Sequence, residues 1–356
     1  MRILREYVIR LLLGSYLITA VAIGALLWLL ELLQLLEAGV AGLMEFVAIT
    51  LAALQSVPEG LIDLLPIVTV LATAAAVGGL QARSEMTVMR AAGLSIWRLT
   101  AVALAPGLLI ALLALAALQW VTPMIQQGPE RLIGASLGEN GLWHPAHGLW
   151  VRQDEEFLNV QELRLGRIPS GINLYRFSAA GALQEHIEAE SAVVLPDGRW
   201  RLEQVRMRNF STTAQPAELI LAHWEWDSFL PVRQLELLLS PPASLALTDL
   251  WAYVAGLKAR GQDFAEVEMM LWRRLALPLS CLGMVLAAMA TAAVPLKSRA
   301  VSVRLVAAMT LGLGFQMLAE LASYLGLVLD WPVTPVALGP PLALVGLSWW
   351  LLSRAR

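Results

Sequence analysis

The chain has 356 residues, 58% hydrophobic and 15% charged, and a mean hydropathy of +0.66. A soluble domain is nearer roughly half apolar and a quarter charged, so one globular core cannot hold this excess and much of it must face lipid. The net charge of −3 argues against the basic stripe of a nucleic-acid binder. The one cysteine, Cys281, sits in an apolar run and rules out an intrachain disulfide or a thiolate metal cluster.

Residues 1–10 place Arg2, Arg5, Glu6 and Arg10 among apolar neighbours and read as a short amphipathic lead-in at a lipid surface. The first span is expected over residues 11–36. It is too long for the apolar part of a signal peptide and lacks a small-residue cleavage site, so it reads as retained. A second apolar stretch, residues 43–80, exceeds one straight crossing of a hydrocarbon core ~30 Å thick. It is interrupted at Gln55-Ser56-Val57-Pro58-Glu59-Gly60, where proline breaks helical bonding. One long helix kinked near Pro58 is expected rather than two spans, because only then do Arg83, Arg90 and Arg98 fall on the cytoplasmic side. The third span covers residues 96–121 and ends at Trp120, an interfacial aromatic.

From residue 126 to 248 charges become frequent and the spans stop. Short alternating segments occur at 149–152, 157–165, 172–177, 187–195, 199–210 and 219–226. Turn chemistry separates them at Arg167-Ile168-Pro169-Ser170-Gly171 and Pro196-Asp197-Gly198. The pattern predicts an antiparallel β-domain: a sandwich, a jelly roll or a partly open barrel. A polar helix over 247–260, with Thr248 or Asp249 at its N-cap, leads to spans at 268–292, 303–329 and 336–352. The expected fold is an α-helical polytopic membrane protein of six transmembrane helices with an inserted all-β, jelly-roll-like domain. Its parts are helices one to three in 1–125, the β-domain in 126–247, and the connecting helix with helices four to six in 248–356.

Charge sets the expected topology. The short segments on one side hold Arg2, Arg5, Arg10, Arg83, Arg90, Arg98, Lys297, Arg299, Arg304, Arg354 and Arg356; segments 37–45 and 330–335 on the other hold no Lys or Arg. By the positive-inside rule both termini are cytoplasmic and the β-domain is external, in the periplasm of a double-membrane bacterium.

For chemistry, the absences come first. The only lysines, Lys258 and Lys297, fit no phosphate-binding loop, so ATP is not hydrolysed here through a P-loop. His144 and His147 flank Pro145 and read as a turn; His186 and His223 are isolated. Residues 81–94 carry Arg83, Ser84 and Glu85, with Ser84 placed to cap a helix and Glu85 to suit its dipole. Met86, Met89 and Ile96 would then face a groove in a soluble partner; a bare connecting loop is the plainer alternative. Ionisable or strongly polar groups also recur in or near the spans: Glu31, Gln34 and Glu37; Glu59 and Asp63, four apart on one face; Arg273 and Arg274 behind Glu266 and Glu268; and Glu320. Such groups are costly in lipid. They line a cavity, or they snorkel and pair structurally.

The chain resembles the lipopolysaccharide export permeases of the LptF/LptG family, on its LptG side. The resemblance rests on Ser56-Val57-Pro58, the run Ala82-Arg83-Ser84-Glu85-Met86-Thr87-Val88-Met89-Arg90-Ala91-Ala92-Gly93, Trp120-Val121-Thr122-Pro123, Gly148-Leu149-Trp150, Gly261-Gln262-Asp263, and Trp272 with Pro278-Leu279-Ser280. It covers nearly the whole chain, and Arg83-Ser84-Glu85 is its most specific motif. It implies a non-catalytic subunit of an ABC exporter in the bacterial inner membrane. The implied partners are an LptF-like permease subunit, two copies of a cytoplasmic LptB-like ATPase that binds the ATP, a bitopic LptC-like protein and a periplasmic LptA-like bridge. The implied cargo is lipopolysaccharide, taken from the outer leaflet. Residues 83–93 would form the coupling helix, with Arg83, Ser84, Glu85 and Met89 meeting the ATPase, and spans one and five of each subunit would form the cavity. The family often has lysines at the outer ends of spans one and two, where this chain has Glu31, Glu37 and Glu59. Phosphate contacts would fall to Arg131, Arg273, Arg274 or the partner, with Arg274 the best placed by motif; alternatively, divalent cations bridge carboxylate and phosphate, or the lipid is less anionic. Two other readings stand beside this one: an embedded lipid-modifying enzyme using Glu59 and Asp63 as acid and base, and a sensor, which would lack any cytoplasmic output domain.

Overall fold

The computed structural model describes residues 2–37, 43–126, 142–143, 149–153, 155–164, 168–178, 181–195, 199–210, 217–227, 242, 245–259, 261–293 and 301–354. Arg131, His144, His147, Lys297 and Arg299 lie outside the described residues. The chain divides into two compact units, Met1–Thr122 with Ala265–Arg356, and Pro123–Phe264.

The first unit is helical: α1 (Arg2–Glu37), α2 (Leu43–Asp63), α3 (Leu65–Ala82), α4 (Glu85–Ala91) and α5 (Ile96–Gln126). Past the inserted unit come α7 (Ala265–Leu275), α8 (Leu277–Ala293), α9 (Val301–Val328) and α10 (Val333–Arg354). Five of the described helices, α1, α3, α5, α9 and α10, are long and apolar enough to cross a membrane, and α7 and α8 meet the same measure together across a bend of 49°. The amphipathic lead-in is not separate. It continues into α1, whose 36 residues reach about 54 Å, beyond the hydrocarbon thickness.

The core is built on α3 and α8, which are apolar all round and buried. Val70 and Ala74 of α3 pack with Met284 and Ala288 of α8 and with Ala308 and Phe315 of α9. Small residues let the backbones close up, since lipid supplies no hydrophobic drive between helices. A Cβ on Gly107 of α5 would stand 2.7 Å from Val285 Cγ2. Around this centre, α1 and α9 turn exposed apolar side chains outward, among them Leu17, Ile18, Val306 and Met317.

The expected kink at Pro58 moves. Helix α2 runs through Pro58, and the break falls at Leu64, just before Pro66 in the first turn of α3. The α7–α8 bend falls the same way, at Ala276, with Pro278 two residues on. In both, a proline in the first turn of the second helix lacks the N–H that would bond back across the joint.

The second unit holds a seven-stranded antiparallel sheet. Its strands are β1 (Leu142–Trp143), β2 (Leu149–Gln153), β3 (Glu156–Arg164), β4 (Ile168–Phe177), β5 (Leu183–Val194), β6 (Trp200–Asn209) and β7 (Ala217–Trp226), followed by helix α6 (Leu247–Ala259). Strands β3 to β7 pair in sequence order, and β1 and β2 share the free side of β3. The described pairings thus form a meander, and the crossovers of a jelly roll are not among them. One row interrupts the four ladders that join β3 to β7. Gln161, Gly171, Glu190, Gln204 and Ala222 stand opposite one another, and each register skips them. Gly171 (φ 63) and Gln204 (φ 53) take left-handed backbone there. The burial alternation shifts phase at this row: β6 buries Trp200 and Leu202 before it and Val205 after it. The register is the same on both sides of the row, so no residue is inserted; the left-handed backbone at Gly171 and Gln204 creases the strands there, and apolar side chains on both sides meet one core of Leu158, Ile172, Leu174, Ile187, Trp200 and Trp226.

Candidate functional site

Polar side chains gather at two levels of the helical unit. The first is around α4. The chain reverses from α3 into α4 within two residues, and Ser84 makes the turn in the left-handed conformation (φ 61), with no side-chain cap bond. The expected Ser84 cap is therefore absent. A capping hydroxyl needs an extended backbone, and the tight reversal denies it. The Ser84 carbonyl instead accepts from the N–H groups of Thr87 (3.1 Å) and Val88 (3.2 Å). Helix α4 ends on Gly93 (φ 90), with Leu94 N–H donating to the Met89 carbonyl at 3.1 Å, the closure that favours glycine.

Glu85 opens α4. Its Oε2 accepts the Tyr7 hydroxyl of α1 at 2.8 Å, and Arg83 Nη1 lies 3.9 Å from its Oε1. Gln81 Nε2 donates to Met86 Sδ (3.1 Å) and to the Ala292 carbonyl of α8 (2.8 Å). The short helix is thus tied to α1 through Glu85 and to α8 through Gln81. Met86, Met89 and Ile96, expected to face a partner, are buried within the chain, whereas Val88 is 67% exposed beside exposed Thr87 and Arg90. Sequence reasoning missed Tyr7 and the bridge through Gln81. A tyrosine in a charged lead-in carries no signal of a partner 78 residues on.

The second level lies at the two helix breaks. Glu59 and Asp63 sit in the last two turns of α2, and Arg273 and Arg274 in the last turn of α7, where cations suit the helix dipole. Arg274 Nη2 is 3.9 Å from Glu59 Oε1, with the Arg274 side chain only 10% exposed. Arg273 Nη2 is 4.0 Å from Glu320 Oε1 of α9, which also accepts from Gln316 Nε2 at 3.2 Å. Three elements bring together groups spread over 260 residues of sequence. Both ion pairs sit at the outer limit of pairing distance. Glu31 is half-buried, and Gln34 and Glu37 are exposed along the last turns of α1; no described hydrogen bond or ion pair joins them to this group.

In the sheet, Arg176 links β3 and β5. It donates to Glu156 Oε1 (2.7 Å) and Glu185 Oε2 (3.0 Å). Burial works against its charge, but the two carboxylates outweigh this and raise its pKa. His186 stacks on Tyr175 at 4.6 Å and meets Asn173 Oδ1 through Nε2 at 3.2 Å; burial lowers its pKa. Among the described residues no three His, Cys, Asp or Glu side chains are arranged to hold a metal ion.

Comparison with known proteins agrees with this layout. A family model described as "Lipopolysaccharide export system permease LptF/LptG" matches residues 6–354. The lipopolysaccharide export system permease protein LptG of Escherichia coli K12 is 27% identical over 322 residues, 90% of this chain and 89% of that protein. The protein of the same name from Haemophilus influenzae is 25% identical over 304 residues, 85% and 84% of the two chains.

Proposed function

Because the chain belongs to the LptF/LptG family of lipopolysaccharide export system permeases, we propose that it is a membrane subunit through which lipopolysaccharide leaves the outer leaflet of the inner membrane, with the work supplied by a separate ATPase. It pairs with an LptF-like subunit above two LptB-like ATPase copies. Both termini and α4 face the cytoplasm, and the β-unit hands lipid on through LptC-like and LptA-like proteins. The observation that carries this reading is α4. It is a seven-residue helix between two spans, with Val88, Thr87 and Arg90 outward and an acid whose carboxylate is held by Tyr7. A carboxylate accepts several hydrogen bonds, so Glu85 can keep Tyr7 and still receive a basic side chain of the ATPase. Motion of the ATPase then reaches α1 and α8 through the contacts of Glu85 and Gln81.

At the helix breaks, Arg273 and Arg274 serve the lipid phosphates. Their own carboxylates act as place-holding counter-ions, and the long pairs at 3.9 and 4.0 Å yield to the shorter charge-assisted contacts a phosphate offers. This accounts for Glu59, one of the acids this chain carries where the family often has lysines. It also leaves Glu59 engaged with Arg274 rather than free to act as an enzyme's acid or base.

The test is ATP-driven release of lipopolysaccharide from proteoliposomes holding this chain, the partner subunit and the ATPase. Glu85→Ala is expected to abolish release and to remove the stimulation of ATP hydrolysis by the permease. Normal stimulation in that variant refutes the role of α4, and release by the isolated chain without nucleotide refutes the whole reading.

A further inference from the structure

We propose that the groove between the N-terminal turns of α1 and α5 is a binding site for an anionic phospholipid of the surrounding bilayer. The groove has a volume of ≈ 590 Å³, within the usual span of about 300–1,000 Å³ for ligand pockets. Leu4, Val8, Leu99 and Val102 form apolar walls suited to an acyl chain, and Arg5 and Arg98, one from each helix, border it. Both arginines are exposed, and neither has an ion-pair partner among the described residues. The first turn of α5 holds no acidic residue, so nothing in that turn offsets the positive end of its dipole.

The depth of the groove fits a headgroup. Trp97, next to Arg98, packs against Trp349 of α10 at 4.6 Å, and Trp350 lies under the Arg354 guanidinium at 3.8 Å. Paired tryptophans with flanking arginines mark the membrane–water interface. Basic pockets between helices at that level take phosphorylated headgroups. The transported lipid is not the expected occupant, because its arginines stand at the far end of α3, 18 residues or about 27 Å away.

The full-length chain, purified in mild detergent and titrated with phosphatidylglycerol or phosphatidylcholine, is followed by native mass spectrometry. The wild type is expected to retain phosphatidylglycerol preferentially, and the double variant Arg5→Gln, Arg98→Gln to bind it roughly 10- to 30-fold more weakly. Val102→Trp, which fills the groove and leaves both arginines in place, is expected to expel the lipid as well. Excess inorganic phosphate should not compete. Equal retention of the two phospholipids, unchanged binding in the double variant, or displacement by inorganic phosphate overturns the proposal. So does displacement by lipopolysaccharide in a chain carrying Arg274→Gln, because the groove would then belong to the cargo.

Discussion

Single side chains carry the two proposed steps, and each gives a direct test. The Tyr7 hydroxyl donates to a Glu85 carboxyl oxygen across 78 residues of sequence. Tyr7→Phe keeps the ring and removes only the donor. Lipid released per ATP hydrolysed should fall several-fold while the ATPase stays bound; an unchanged ratio would reduce the bond to local structure. Arg274 is the converse case, a mostly buried cation beside Glu59. Arg274→Gln removes a cation from beside that partly buried carboxylate, so thermal stability in detergent should drop. Adding Glu59→Gln removes the charge that Arg274 offsets. The double variant is expected to regain stability and still fail to export lipid, and export at the wild-type rate would show that Arg274 only balances Glu59. Sequence reading found Arg274 and Glu59 as charges in unfavourable surroundings but could not join them, because the pairing depends on where α2 and α7 end.

Among elements, the clearest contrast is between the helix breaks and the sheet crease. Prolines announce the breaks, yet the second span bends at Leu64 before Pro66, not at Pro58. A proline inside a helix disrupts it only as far as its neighbours allow. The crease has a quieter signature, with Gly171 the one residue suited by type to its backbone. At φ 63 an added Cβ would lie 2.9 Å from Gln161 Cβ. Gly171→Ala should destabilise the β-unit by roughly 1–2 kcal/mol from the left-handed conformation alone, more if Gln161 cannot move. The measurement is the midpoint of the unit's unfolding; a shift near zero would mean the row tolerates ordinary backbone. The alternating segments located β2 to β7 because alternation is local, but the turn expected at 167–171 lies largely within β4, and the phase shift at Gln204 in β6 lies outside any period-two reading.

For the whole molecule, division into two compact units implies two unfolding transitions with different controls. Only the β-unit should respond to mild acid through His186, whose pKa burial holds below the ordinary value. The folded state favours neutral imidazole, so this contribution is fully present above the unfolded value of about 6.5 and is lost as pH falls through it toward the folded value. Between pH 7.5 and 5.5 the transition of the β-unit should move down and that of the helical unit should not, with His186→Gln reducing the shift. An equal response in the variant would assign the effect to other groups.

The sequence by itself determined the class of protein, the inserted β-unit, the spans and the family. Those follow from hydropathy, period and charge bias, which act over one or two turns of chain and survive without knowledge of neighbours. Tertiary structure decided what the charges do. It set Glu85 on Tyr7, placed Met86 and Met89 inward with Val88 outward, and closed Arg273 and Arg274 onto acids from α9 and α2. It also creased the sheet so that both halves share one core. Such pairings depend on the direction each helix takes after its break and on the turn each strand shares with its neighbours, and these are fixed by packing between segments far apart in the chain.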